Sequence, residues 1–451
     1  MNYLDNNTML EEQTNLKHRK IPLWIISLFF LIIFLIWNVG VDKFFRYLLL
    51  GLPQGGIIAL IAIGYSMVYG IVQLINFAHG EVFMMSAYLV ITLAVGGRNW
   101  STNVGVVMSI FIGIISIPTF ILIWGEKIHK RYLNIFFSIA QGIIIGLFFF
   151  FLFKHKLTYW VACFFSVIFT SLLGIAIDQF AYKPLRKSSR LVPLITAIGV
   201  SLFLSNFAQI VWGTQSMTYP TEMLPKMLTT PYIVDGKFLT TQEINSIPFF
   251  DLLIKDRRIR ISENLVIPLI DLIIFFLAIS LMAIVQIFLL KTRTGKAMRA
   301  CSQDMHAAWL MGIDVNKIIA ITFGIGSFLA ALCSPLYVIK YAPLEPTMGY
   351  IVGILAFASA VLGGIGNIPG AMFGGFCIGI IYNFVPLFET LDSWKIIVLL
   401  KGSRFFPGIE NWNFLAGITQ WRLGIAFTFM LGVILIKPQG LLGAVEAKKR
   451  A

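Results

Sequence analysis

Runs of about twenty predominantly apolar residues, separated by short clusters of charge, glycine and proline, recur along nearly the whole chain. A run of about twenty is what an α-helix needs to cross the roughly 30 Å hydrocarbon layer of a bilayer. The pattern predicts helices over 21–40, 47–73, 80–97, 104–124, 133–153, 158–178, 191–214, 265–290, 316–338, 350–364, 367–386 and 422–437. The predicted fold class is therefore an all-α polytopic membrane protein of about twelve transmembrane or half-membrane helices. The spans 80–97 and 350–364 are short and flanked by glycine, so for each of them two readings stay open: a full crossing, or a re-entrant or broken segment.

An even number of crossings puts both chain ends on one side, and the basic clusters Lys17–Lys20 and Lys448–Arg450 assign that side to the cytoplasm. The short basic loops 125–132, 179–190 and 291–317 then fall on the same side, while the long loop 215–263 falls outside. Lys154 and Lys156, in a short external turn, are the exception. The expected organisation is a cytoplasmic tail 1–20, a transmembrane domain 21–437 with a cytoplasmic loop 291–315, and a second cytoplasmic tail 438–451. The run 21–40 is longer than the apolar region of a signal peptide and no small-x-small site follows it, so an uncleaved span is expected.

Composition sharpens this reading. Of 451 residues, 58% are hydrophobic and 12% charged, with 40 Phe and a mean hydropathy of +0.85; soluble domains carry about 25% charged residues. The net charge of +14 is what cationic loops facing anionic lipid give. Nothing resembles a zinc finger, a base-stacking platform or a basic DNA-reading helix, so nucleic acid is not an expected partner. Four cysteines without a CxxC pair predict neither disulfides nor a metal site. GxxxxGK[ST], HExxH and GxSxG are all absent, so no P-loop, zincin or nucleophile-elbow chemistry is expected, and no catalytic residue is assigned.

Gly51 and Gly55 early in the chain, and Gly366, Gly370 and Gly374 with Gly375 and Gly379 late in it, stand four residues apart. Small residues at that spacing let helix backbones approach closely in lipid, and packing is their expected role. More unusual is Asn76-Phe-Ala-His79-Gly80-Glu81, which sets an amide, an imidazole and a carboxylate between two apolar runs. Polar groups there line water or pair within the bundle. Two readings are open: a broken helix at a transport site, or a plain hairpin in which Asn76 caps the next helix and Glu81 favours its N-terminus. The later joint Gly363-Gly364-Ile-Gly366-Asn367-Ile-Pro-Gly370 has a similar make-up. The candidate translocation-path residues are therefore Asn76, His79, Gly80, Glu81, Gly364, Gly366 and Asn367.

The loop from Lys291 to Ile313 contains a stretch, 295–311, that reads as one amphipathic helix stopped by Gly312. Basic residues supply its charge, and Ala307, Ala308, Leu310 and Met311 supply small apolar surface. Such a helix lies on lipid or docks into a partner's groove.

Together these segments resemble the LivH-type permeases of branched-chain amino-acid ABC importers. The resemblance is carried by Tyr65-Ser-Met-Val-Tyr-Gly-Ile-Val-Gln-Leu-Ile-Asn-Phe-Ala-His-Gly-Glu81, by Ala181–Arg190 running on to Thr196-Ala-Ile-Gly199, and by Gly295–Ile313. Ala360–Gly370, Arg422–Thr428 and Lys437–Gly443 complete it. The similar regions are about 46–95, 158–215, 265–386 and 421–443, in the family's order.

The resemblance implies an ABC importer transmembrane domain in the cell inner membrane, with no catalysis and no cofactor of its own. ATP would be hydrolysed by two cytoplasmic ATPase subunits. A LivM-type permease would form the other half of the channel, and an external binding protein would deliver leucine, isoleucine or valine. It also makes 291–313 the ATPase-coupling loop. Its EAAxxxG-like pattern is His306-Ala307-Ala308-x3-Gly312, with His in place of Glu, and Arg299 and Asp304 are further candidates. The extra span 21–40 and the apparent hairpin insertion 104–153 depart from the family's pattern. Within the family the alternative cargoes are urea, short amides or other amino acids. From another class comes a secondary carrier or channel using His79 and Glu81, and, further off, a membrane enzyme; neither needs a coupling loop.

Overall fold

The computed structural model describes residues 33–34, 36–96, 102–124, 131–186, 188–189, 191–217, 233–234, 237–238, 258–262, 265–341, 344–388 and 417–443. The tail 1–20 and most of the span 21–40 and of the loops 125–132, 215–263 and 387–421 lie outside the described residues.

The long helices, in chain order, are α1 (Val41–Val72), α2 (His79–Val95), α3 (Thr102–Trp124), α4 (Arg131–Lys154), α5 (Tyr159–Ile177), α6 (Leu191–Trp212) and α7 (Leu269–Lys291). Two short helices, α8 (Arg293–Gln303) and α9 (Met305–Leu310), precede α10 (Val315–Lys340), α11 (Met348–Gly363), α12 (Ile368–Phe384) and α13 (Arg422–Ile436). Among the described residues nine helical segments are long and apolar enough to cross a membrane, and α2 and α11 are shorter apolar helices. Two small antiparallel hairpins, Ile233–Val234 with Lys237–Phe238 and Arg258–Ser262 with Leu265–Pro268, lie between α6 and α7.

Small residues decide which helices meet. Gly51 and Gly55 of α1 lie against the backbone of Ile380 and Phe376, and Gly375 lies against Ala59, so the two glycine ladders seen in the sequence face one another. The other face of α12 presents Gly370 and Gly374 to Gly363 and Ser359 of α11. Without a hydrophobic gain between helices in lipid, such close backbone approach supplies the packing energy. In the same way Gly113 of α3 packs on Gly142 and Gly146 of α4, closing the 104–153 hairpin.

The centre of the bundle is α2, buried at every residue from His79 to Ala94 and packed against α5, α10 and α11. Its hydroxyl side chains are satisfied across helices: Ser86 Oγ meets Ser166 Oγ of α5 at 2.9 Å and accepts from Ser334 Oγ of α10 at 2.7 Å. Trp212 Nε1 donates to Thr92 Oγ1 at 2.8 Å.

The helix ends sort into two sets. Asn76, Tyr182, Arg186, Asn316, Gly364, Gly366 and the segment 439–443 share one end. Gly96, Lys156, Trp212, Met217 and Leu344 share the other, where Met217 and Leu344 exchange backbone hydrogen bonds. Asp271, in the first turn of α7, is buried and paired with Lys340. A carboxylate and an ammonium that leave water together keep their charges at lower cost than either alone.

Candidate functional site

The chain leaves α1 at Gln73, in the left-handed region at φ 55°, and runs through 73–76 without helix before turning into α2. Asn76 does not cap α2 with its side chain; Ala78 holds the N-cap position and makes no side-chain cap bond. The Asn76 Oδ1 accepts instead from Tyr182 Oη at 2.7 Å. The cap reading of Asn76 is thus replaced by a broken joint held from α5.

The N-terminal turn of α2 meets the N-terminal turn of α11. A Cβ on Gly80 would stand 2.7 Å from Gly353 Cα, and one on Gly349 would stand 2.9 Å from Glu81 Cα. From this meeting point α2 runs to the end holding Gly96, and α11 runs to the end holding Gly363 and Gly364. At 1.5 Å per residue each covers about 25 Å, short of a full crossing. The two short helices meet at their N-terminal turns and are each somewhat shorter than the other apolar helices.

At the meeting point the polar groups are deeply buried. Glu81 is 1% exposed; its Oε1 accepts from Ser201 Oγ of α6 at 3.4 Å, and its Oε2 has no hydrogen-bond partner. The His79 Nε2 has none either, and faces Gly64 of α1 so closely that a Cβ there would lie 2.5 Å away. The Tyr65 ring crosses His79 edge-on at 4.8 Å between centroids. His79, Gly80 and Glu81 thus form one cluster with Tyr65, Ser201 and Gly349, of which the sequence reading named only the first three.

The second joint lies elsewhere, at the end of the bundle that holds Asn76. Gly364 and Gly366 both have positive φ, and Gly366 N–H donates to Ser66 Oγ of α1 at 2.9 Å. Asn367 caps α12, accepting from Gly370 N–H at 3.3 Å, and its Nδ2 donates to Leu442 O at 2.5 Å, tying in the C-terminal segment. Through Ser66 this joint adjoins Tyr65 of the Glu81 cluster along α1.

The loop predicted as one amphipathic helix is two. Asp304 takes an extended conformation (φ −156°, ψ 111°) and its Oδ1 accepts from the N–H groups of His306 and Ala307 at 2.7 and 3.0 Å. It ends α8 and caps α9, because a short acceptor side chain satisfies backbone donors that a continuous helix would bond internally. Gly312, at φ +81°, stops α9 as expected. Met298, Cys301 and Ala308 are buried against α1, α7 and α10, and burial pushes the Cys301 thiol pKa up. Arg299, His306 and Ala307 are exposed, with His306 stacked on Trp309 at 6.0 Å. Beside them Trp309, Leu310 and Met311 are 62, 66 and 83% exposed.

An ion pair that the sequence reading missed connects these parts. The helix α5 continues through a wide π turn, Asp178–Tyr182, and Asp178 is fully buried. Arg186 clamps it with 2.5 and 2.7 Å bonds and donates to Asn316 Oδ1, at the start of α10, at 2.5 Å. One turn of α5 thus touches both the Asn76 joint and the root of the 291–313 loop. The available signal was an acidic residue at the end of an apolar run with an arginine eight positions later. Among the described residues no group of three or more His, Cys, Asp or Glu is placed to hold a metal ion.

The sequence profile of the family described as "Branched-chain amino acid transport system / permease component" matches residues 47–130 and 131–401. The high-affinity branched-chain amino acid transport system permease protein BraD of Pseudomonas aeruginosa is 30% identical over 406 residues, covering 90% of this chain and 98% of that protein. The corresponding LivH proteins of Salmonella typhimurium and Escherichia coli K12 are each 29% identical, covering 90% of this chain and 97% of theirs. No solved structure gives a significant match. The chain is a multi-pass membrane protein and belongs to the branched-chain amino acid transport system permease family.

Proposed function

We propose that this chain is one permease subunit of an ATP-driven importer for leucine, isoleucine and valine, lying in the cell inner membrane with both termini cytoplasmic. A LivM-type permease would complete the channel, two ATPases would dock beneath it, and an external binding protein would deliver the cargo. The observation that carries this reading is the α8–α9 module: an apolar tip, Trp309-Leu310-Met311, held outside the bundle on a base anchored by Met298, Cys301 and Ala308. Apolar side chains in water call for a covering partner.

Movement of that tip would reach α10 at Asn316, pass through Arg186 to Asp178, and arrive at Tyr182 and the Asn76 joint. ATP-driven closure of the ATPases would then bias the bundle between outward- and inward-facing packings, in proportion to how differently they bind the two. The path would include Asn76, His79, Gly80 and Glu81, with the joint at Gly364, Gly366 and Asn367 moving with α12. The unpartnered atoms of His79 and Glu81 also suit a second reading, a secondary carrier.

Labelled leucine uptake in cells with and without the chain, repeated with ATP depleted and the proton gradient kept, decides between them. The importer reading expects uptake that needs both the chain and ATP and that cold valine competes away. Chain-dependent uptake surviving ATP depletion would establish the carrier instead. No chain-dependent leucine uptake would overturn the cargo and direct the assay to urea and short amides.

A further inference from the structure

Helix α6 is apolar over most of its length, yet Ser201, Ser205 and Gln209 recur at four-residue spacing, which sets them in one stripe. Ser201 donates to Glu81, and Ser205 Oγ donates to Pro346 O at 3.3 Å, on the stretch that leads into α11. Gln209 lines a polar cavity of about 390 Å³ together with Thr214, Ser216, Glu345, Pro346 and Thr347. That cavity sits at the end of the bundle opposite the α8–α9 module, beside the Met217–Leu344 bridge. A line of hydroxyl and amide groups therefore runs from a cavity with a carboxylate at its rim down to a second carboxylate at mid-depth.

At the foot of this line Glu81 Oε2 is buried, has no hydrogen-bond partner, and lies against the first turn of α11, so close that a Cβ on Gly349 would collide with it. Its surroundings combine an unpartnered carboxyl oxygen with the positive N-terminal end of α11. An amino-acid zwitterion, an ammonium and a carboxylate on one carbon, complements that combination.

We propose that Glu81 is a cargo-binding residue: its carboxylate receives the α-ammonium of an amino acid that enters by the Gln209–Glu345 cavity and passes along Ser205 and Ser201. The first turn of α11 receives the cargo's α-carboxylate. This rests on the importer reading above and names the chemical group that the path recognises.

The test uses the complete importer, with its partner permease, ATPases and binding protein, in proteoliposomes. Dicyclohexylcarbodiimide labels carboxyl groups, and mass spectrometry reads the label at Glu81. Leucine is expected to slow labelling of Glu81 at least tenfold, while 4-methylpentanoate, which lacks the ammonium, leaves it unchanged. Glu81→Gln is expected to lower leucine uptake at least tenfold at wild-type yield and thermal stability, with Glu81→Asp intermediate. Equal labelling with and without leucine overturns the assignment, as does full uptake by Glu81→Gln. Protection by sodium chloride alone overturns it in favour of an inorganic-cation site. Should Glu81→Gln fail to fold, the labelling of the unaltered chain still decides. A wild-type importer that takes up no leucine in response to ATP defeats the importer reading itself, a separate outcome.

Discussion

Helix α2 and the α3–α4 hairpin follow one another in the chain, and although the hairpin is the more apolar, it is α2 that the bundle buries. Every residue of α2 from His79 to Ala94 is buried, while α4 presents Phe136, Ile144 and Phe151 outward. The hairpin's outer face even carries a groove of about 430 Å³ walled by aliphatic side chains. In water such a surface would collapse inward; against lipid tails it gains nothing by doing so. What draws α2 to the centre is its polar and small residues, His79, Gly80, Glu81, Ser86 and Thr92, which need protein partners. Burial here follows polarity and size, the reverse of a soluble core.

The comparison can be broken or sharpened by substitution. The largest effect is expected at the α1–α12 contact: Gly55→Leu, whose Cβ would meet Phe376 Cα at 2.8 Å, should leave no folded chain in detergent extracts. Folded Gly55→Leu protein would mean that small-residue contacts do not hold the centre together. Next comes Arg186→Ala, which leaves Asp178 buried and unpaired; the cost expected is about 3–5 kcal/mol in thermal unfolding. Pairing it with Asp178→Asn should recover part of that loss, since the two residues interact directly.

The tip of α9 tests the rule from the water side. Leu310→Asp is expected to abolish co-purification of an ATPase subunit while leaving the melting temperature within a degree or two of wild type, because the side chain is 66% exposed. A large loss of stability would mean that Leu310 packs on the bundle. The smallest effect is expected in the hairpin: Phe151→Ala, at 59% exposure, should change unfolding by less than about 0.5 kcal/mol.

Helix positions were legible because a long apolar run has few other readings. The run 316–338 became Val315–Lys340, and 133–153 became Arg131–Lys154. The glycine ladders were legible as packing surfaces, though which ladder met which was not, since spacing does not name a partner. That 80–97 and 350–364 form shorter helices than their neighbours could be read from their length; the meeting of Gly80 with Gly353 could not, because it joins residues far apart in the chain. The helix break at Asp304 was overlooked because a periodic pattern continues through it, although Asp two and three residues before the bonded N–H groups is an N-cap signature. Ser201 and Ser205 were missed for a related reason: two hydroxyls scarcely alter the hydropathy of a span, and their meaning lies in what stands opposite.

The head-to-head arrangement of α2 and α11 has an electrical consequence. Each helix carries a macrodipole equivalent to about half an elementary charge at either end. Because the two start together and run in opposite directions, their moments along the membrane normal cancel. A potential of 100 mV does about 2.3 kcal/mol of work on one elementary charge carried across, but almost none on a pair so opposed. The membrane voltage therefore has little hold on the dipoles of this helix pair and acts on this centre only through side-chain charge such as that of Glu81.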